Sequence, residues 1–234
     1  MNIIKNFIIV LILSLLTLNN SMAVNKKGRP STYINTVHVV QLCESGSTLG
    51  NCLNPIVIGE SVAGRTFDLS VRGSANAFGN ASLIPSGKTY THGEVIMSRG
   101  FKIAGSVATT ASITCNTGGA AGTLTAGGAT SNGTIGLQEL FVGNGTGNGD
   151  QMNSTSAATG GTDAVKGTMS AGHNFMKFRW LLASPSKVTE GKIPSITISF
   201  DLSNALEFND GGGNGACDGN DFYPGRPIIT NSFQ

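Results

Sequence analysis

Along much of the chain, apolar and polar residues alternate with a period of two, the pattern of half-buried strands. In RTFDLSV, Phe67, Leu69 and Val71 share one face, and Thr66, Asp68 and Ser70 share the other. In NFMKFRWLL, Met176, Phe178, Trp180 and Leu182 fall on one face, which makes this segment the strongest core strand. SITISFDL places Ile196, Ile198, Phe200 and Leu202 together. YINTVHVVQL, residues 33–42, is rich in β-branched residues and reads as a further strand. Residues 90–98 and 101–107 read as two more, with Arg99-Gly100 between them as a bulge or hairpin turn. Short apolar pieces lie at 56–58 and 227–230. TIGLQELFV fits either a strand or one helical turn.

Between these pieces run two tracts, 116–133 and 143–161, made largely of Gly, Ala, Thr, Ser and Asn. Such tracts bury little apolar surface and predict loops or thin Gly-rich strands. Residues 185–194 read as a charged turn, and 209–226 as a long loop held by Cys217. Several short strands separated by turn-rich loops predict an all-β fold: a mostly antiparallel β-sandwich, jelly-roll or immunoglobulin-like, in a single domain over 24–234. A membrane barrel ranks behind it. Barrels want aromatic girdles, and aromatic residues are only 6% of this chain, in unevenly spaced strands.

Composition agrees with strands over helices. Gly, at 33 of 234 residues, is about double its usual share, and charged residues, at 12%, are about half theirs. The net charge of +2 comes from scattered Lys and Arg, with Lys26, Lys27 and Arg29 the one cluster. A nucleic-acid binder would show a basic face with interleaved aromatics, so that class is not expected.

The first residues change the picture most. MNIIKNFIIVLILSLLTLNNSMA has a Lys near the start, an apolar run from Phe7 to Leu18, and small residues at Ser21 and Ala23. This is the pattern of a secretory signal peptide over 1–23, cut after Ala23, and the run is too short for a membrane span. The expectation is a bacterial protein that is secreted or displayed on the cell surface, with the periplasm left open and no membrane span after cleavage. Residues 24–32 then form a flexible N-terminal arm. Four cysteines suit that compartment, and two disulfides are expected. Cys43–Cys52 is favoured because CESGSTLGNC is a short polar loop, which leaves Cys115 with Cys217.

Catalytic chemistry finds little support. There is no GxSxG elbow, and His38, His92 and His173 sit in no motif. His92 stands near Glu94, where a base paired with a carboxylate is one reading and a polar pair at a strand end is the favoured one. Asp68, Glu94, Glu139 and Asp201 offer carboxylates for glycoside hydrolysis, yet one Trp and three Tyr leave few sugar-stacking rings. Asp210, Asp218 and Asp221, among glycines, are weak calcium ligands, because neither the GGxGxD repeat nor the EF-hand spacing is met. Calcium is the one cofactor considered.

The expected function is therefore non-enzymatic: a structural, adhesive or filament-subunit role. Composition and pattern resemble those of secreted bacterial β-sandwich modules and pilin-like subunits, with no motif that fixes one family. The expected partners are other copies of the chain or other surface proteins, joined by strand addition. Tyr33, Ile34, Val37 and Val39 are the assembly candidates. The alternative is a carbohydrate-binding or carbohydrate-active secreted protein with a cleft lined by Trp180, Tyr90 or Tyr223, with calcium as its optional cofactor and glycans as partners.

Overall fold

The computed structural model describes residues 24–71, 78–109, 113–131, 133–190, 196–210, 215–218 and 222–233. The expected leader over 1–23 lies outside these residues. Twelve strands are described: β1 (Val24–Gly28), β2 (Pro30–Glu44), β3 (Ile56–Asp68), β4 (Thr89–Ala108), β5 (Thr114–Asn116), β6 (Gln138–Phe141), β7 (Met152–Thr155), β8 (Phe175–Lys187), β9 (Ile196–Asp201), β10 (Leu206–Asp210), β11 (Phe222–Pro224) and β12 (Ile228–Phe233). Every pairing is antiparallel. The described part is nearly all β, with one 3-10 turn at Ala81–Leu83 and no α-helix.

The largest sheet runs β3-β2-β4-β8-β7 and is organised by β4, which spans 20 residues. One edge of β4 pairs with β2 along its length. The other edge is taken in turn by β8, β6 and β5. Asn35 stands opposite Phe101 and Val37 opposite Met97, so residues 98–100 of β4 face a single residue of β2. Of the two readings for Arg99-Gly100, this is the bulge. Bulges of this kind bend a long strand without breaking its pairing. Pro185 sits in the irregularity of the β4–β8 pairing, between the Tyr90 and His92 pairings, where a missing N–H costs no ladder bond.

Two small sheets accompany the large one, β1-β10-β11 and β12-β9. One buried apolar cluster joins Val95 and Phe178 of the large sheet to Leu206, Phe208 and Phe222 of the three-stranded one.

The structure corrects several sequence readings. Residues 24–28 are not a flexible arm: they form β1, paired with β10 from Val24↔Asp210 to Gly28↔Leu206. Lys27 bonds Glu207 at 2.8 Å. Gly28 lies so close to β4 that a Cβ there would stand 2.4 Å from the Ser106 carbonyl oxygen, so only glycine fits. The expected loop at 209–226 contains the end of β10 and all of β11, anchored by the fully buried Phe208 and Phe222 rings at 5.6 Å. The separate pieces at 56–58 and 65–68 are one strand, β3, the expected strand stopping at Asp68 because 69–71 turn away, and the charged turn at 185–194 begins later because β8 continues to Lys187. TIGLQELFV contributes a strand, β6, rather than a helical turn.

Candidate functional site

An apolar groove of about 220 Å³ lies between the large sheet and the β9–β12 pair. Its floor is Val95 and Met97 of β4 with Met176, Phe178 and Trp180 of β8. Its roof is Ile198 and Phe200 of β9 with Ile229 of β12. The period-two pattern builds both walls, because alternate residues of each strand point to one side. Trp180 lies flat over Gly93, whose missing Cβ leaves room for the indole: a Cβ would meet the ring at 2.3 Å. Phe178 stacks beside it, with centroids 6.5 Å apart and planes 21° apart. Tyr33 closes one end of the groove, its hydroxyl donating to the Gly225 carbonyl at 2.7 Å.

Beside the groove, β9 pairs only with β12 among the described residues, so its second edge has no strand partner. Its outward residues are Thr197, Ser199 and Asp201, and the strand ITISFD contains no Lys, Arg or Pro. Soluble proteins guard free edges with such residues, and this edge is unguarded except for one terminal Asp.

The assembly candidates Tyr33, Ile34, Val37 and Val39 lie in β2, between β3 and β4, with both edges of the strand paired. Tyr33 and Val37 line the groove, while Ile34 and Val39 do not. The disulfides join Cys43 to Cys52 and Cys115 to Cys217. Asp210 is buried at the end of β10, where one carboxylate oxygen accepts from the Gly215 amide at 2.9 Å. Asp218 is exposed, and Asp221 lies outside the described residues. No group of three potential metal-ligating residues occurs among the described residues. Of the three rings suggested for a sugar cleft, Trp180 lines the groove, but Tyr90 and Tyr223 do not. No described helix is long and apolar enough to cross a membrane.

The four carboxylates considered for hydrolysis have separate attachments. Asp68 accepts from the Ser70 hydroxyl and the Tyr33 amide. Asp201 caps the Ser203 turn, and Glu139 is exposed on β6. Glu94 belongs to a buried polar row that crosses four strands on the side of the sheet away from the groove. Gln41 donates to one of its oxygens and Arg179 pairs with the other, while Arg179 also donates to Asn153 at 2.9 Å. These groups stand directly opposite one another, Gln41↔Glu94↔Arg179, so the row is a product of strand register.

Glu94 is thus committed to Arg179 and Gln41, while His92 is held by Thr91, whose hydroxyl is 3.0 Å from Nδ1. Burial pushes the His92 imidazole below its usual range. Its cross-strand neighbours, Cys43 and Leu181, carry no charge to offset this. The unfolded chain then takes up a proton before the folded one does. Stability is therefore lost as pH falls below about 6.5. We expect the melting temperature to drop between pH 7 and pH 5, and His92→Gln to flatten that drop. An equal slope in both proteins would refute the assignment.

The signal for the groove was present in the alternation of 175–182 and 195–202. The mouth residue Arg226 and the buried Asn35 had no such signal, since neither belongs to a motif. Comparison with protein-family models, with curated proteins and with solved structures finds no match.

Proposed function

We propose that this is an exported, non-enzymatic structural or adhesive β-sandwich protein whose copies join by strand addition at the open edge of β9. The observation that carries the reading is that edge: among the described residues β9 pairs on one side only, with β12, and its outward face is uncharged over most of its length. A strand's free N–H and C=O groups bind any extended segment that can complete the ladder. The sandwich reading takes the large sheet as one layer and the two small sheets as the other, with β9 as the edge where a further strand would extend the narrower layer. Export is supported by the leader pattern of residues 1–23 and by the two disulfides, which suit an oxidising compartment. A glycan-directed reading has less support, because the one groove-lining Trp is buried and the candidate carboxylates are held apart in separate bonds.

The test is assembly as a function of concentration, followed by light scattering after size exclusion and by electron microscopy. Oligomers or filaments are expected from the unaltered protein. Thr197→Lys with Ser199→Lys, both on the exposed face of β9, should keep it monomeric without lowering its melting temperature. A protein that stays monomeric at high concentration and forms no filaments would overturn the reading.

A further inference from the structure

Two residues that line the groove carry a buried polar atom that the fold leaves without a partner, the donor Trp180 Nε1 and the acceptor Asn35 Oδ1. Asn35 is 3% exposed, and its Nδ2 group donates to the carbonyls of Ser98 and Gly100, each at 3.0 Å. Its Oδ1 is buried and accepts no hydrogen bond, although the side chain lines the groove. Buried acceptors in folded proteins are normally paired, so this atom calls for a donor supplied from within the groove.

The mouth of the groove is charged. Arg226 is the one base among the lining residues, and Glu207 the one acid. Glu207 is already bonded to Lys27 at 2.8 Å. Arg226 reaches only the Asn148 carbonyl, at 3.5 Å, and is exposed. The mouth therefore presents one uncompensated positive charge. The bond from Tyr33 to Gly225 places this mouth at the Tyr33 end of the groove, two residues along β2 from Asn35.

The shape selects a chain rather than a ring. Lining residues run along β4 from Val95 to Phe101, roughly 20 Å of strand. A dry cavity of about 150 Å³ holds benzene, so 220 Å³ accommodates a chain on the order of ten carbons. Met97, Met152 and Met176 give flexible walls that adjust to such a chain.

We propose that the groove binds a medium-chain 3-hydroxy fatty acid. The carboxylate pairs with Arg226, the 3-hydroxyl donates to Asn35 Oδ1, and the chain runs between Met97 and Phe200 toward Trp180. This site goes beyond the strand-addition reading and does not depend on it, since the groove is internal and the outward face of β9 is not.

Trp180 is the sole tryptophan and a groove wall, so its fluorescence reports occupancy. The monomeric fraction of the protein, checked by size exclusion, is titrated with 3-hydroxydecanoate, decanoate and decanol. A saturable change is expected, tightest for 3-hydroxydecanoate, about fivefold weaker for decanoate and weaker again for decanol. Bromine at the chain terminus of decanoate should quench Trp180. Arg226→Gln should weaken both acids about tenfold and leave decanol unchanged. Val37→Phe, or Met97→Phe should the first lower the melting temperature, should block all three by filling the groove. The proposal is overturned if no ligand gives a saturable change, if Arg226→Gln binds the acids as well as the unaltered protein does, or if the 3-hydroxyl makes no difference. None of these results depends on whether the protein assembles.

Discussion

Replacing Cys115 and Cys217 by Ser is expected to cost about 4–5 kcal/mol of folding stability, against about 2–3 kcal/mol for the Cys43 and Cys52 pair. The difference comes from loop length. Cys115–Cys217 closes 102 residues, and Cys43–Cys52 closes nine. In the loop-entropy account a cross-link restricts the unfolded chain more as the loop grows. Location adds to the effect. Cys115 is fully buried in β5 against the end of β4, and its partner holds the segment that leads into β11. The bridge therefore ties the large sheet to the three-stranded one, whereas Cys43–Cys52 only closes the polar turn after β2. Domains of this kind have about 5–15 kcal/mol in total, so the first loss takes a large share of it. Urea unfolding of the two double-serine variants checks the ranking. Equal losses, or a larger loss for the short loop, would contradict it.

Much of the fold was legible because strand alternation is local. The Met176-to-Leu182 face, the Ile196-to-Leu202 face and the β-branched run at 33–42 each state their own structure. What was not legible depended on pairing. Val24–Gly28 has a basic, Gly-ended sequence that says nothing of β10, and its strand exists because β10 offers a ladder and Glu207 a counter-charge. Leu206 and Phe208 alternate over too few residues to stand out from the Gly-rich tail around them. The site followed the same division. Trp180 was readable as a wall of the core. That this core is left partly unfilled, with Asn35 Oδ1 unpaired inside it and Arg226 at its mouth, depends on residues nearly two hundred positions apart meeting in space, and no local pattern encodes that.

Arg99 shows how far such long-range demands go, and its replacement is the second large effect expected. Arg99-Gly100, between two apolar segments, reads as a bulge or hairpin turn, and nothing in that reading tells that the structure encloses Arg99 completely at the β4 bulge. All five of its N–H donors are used. Nε and Nη2 reach the Val142 carbonyl at 2.9 and 2.7 Å, and Nη2 also reaches Asn144 Oδ1 at 2.9 Å. Nη1 reaches the carbonyls of Ser170 and His173 at 3.0 and 2.7 Å. Burial lowers its pKa to about 10, so the group stays charged at neutral pH and is held by carbonyl dipoles rather than by a carboxylate. One side chain thus fastens two Gly-rich loops, around 142–144 and 170–173, that have little apolar surface of their own. Arg99→Met keeps an unbranched apolar stem but is shorter and leaves these acceptors buried without donors, and should cost about 3–5 kcal/mol. Arg99→Lys keeps the charge but has three donors and no planar fork, so it should recover only part of the loss. Hydrogen exchange gives the sharper reading: protection should fall first at Gly145 and Met169, whose backbone groups bond each other beside the guanidinium's anchor points. If the Met variant unfolds at the same urea concentration as the unaltered protein, the loops are held by something other than Arg99.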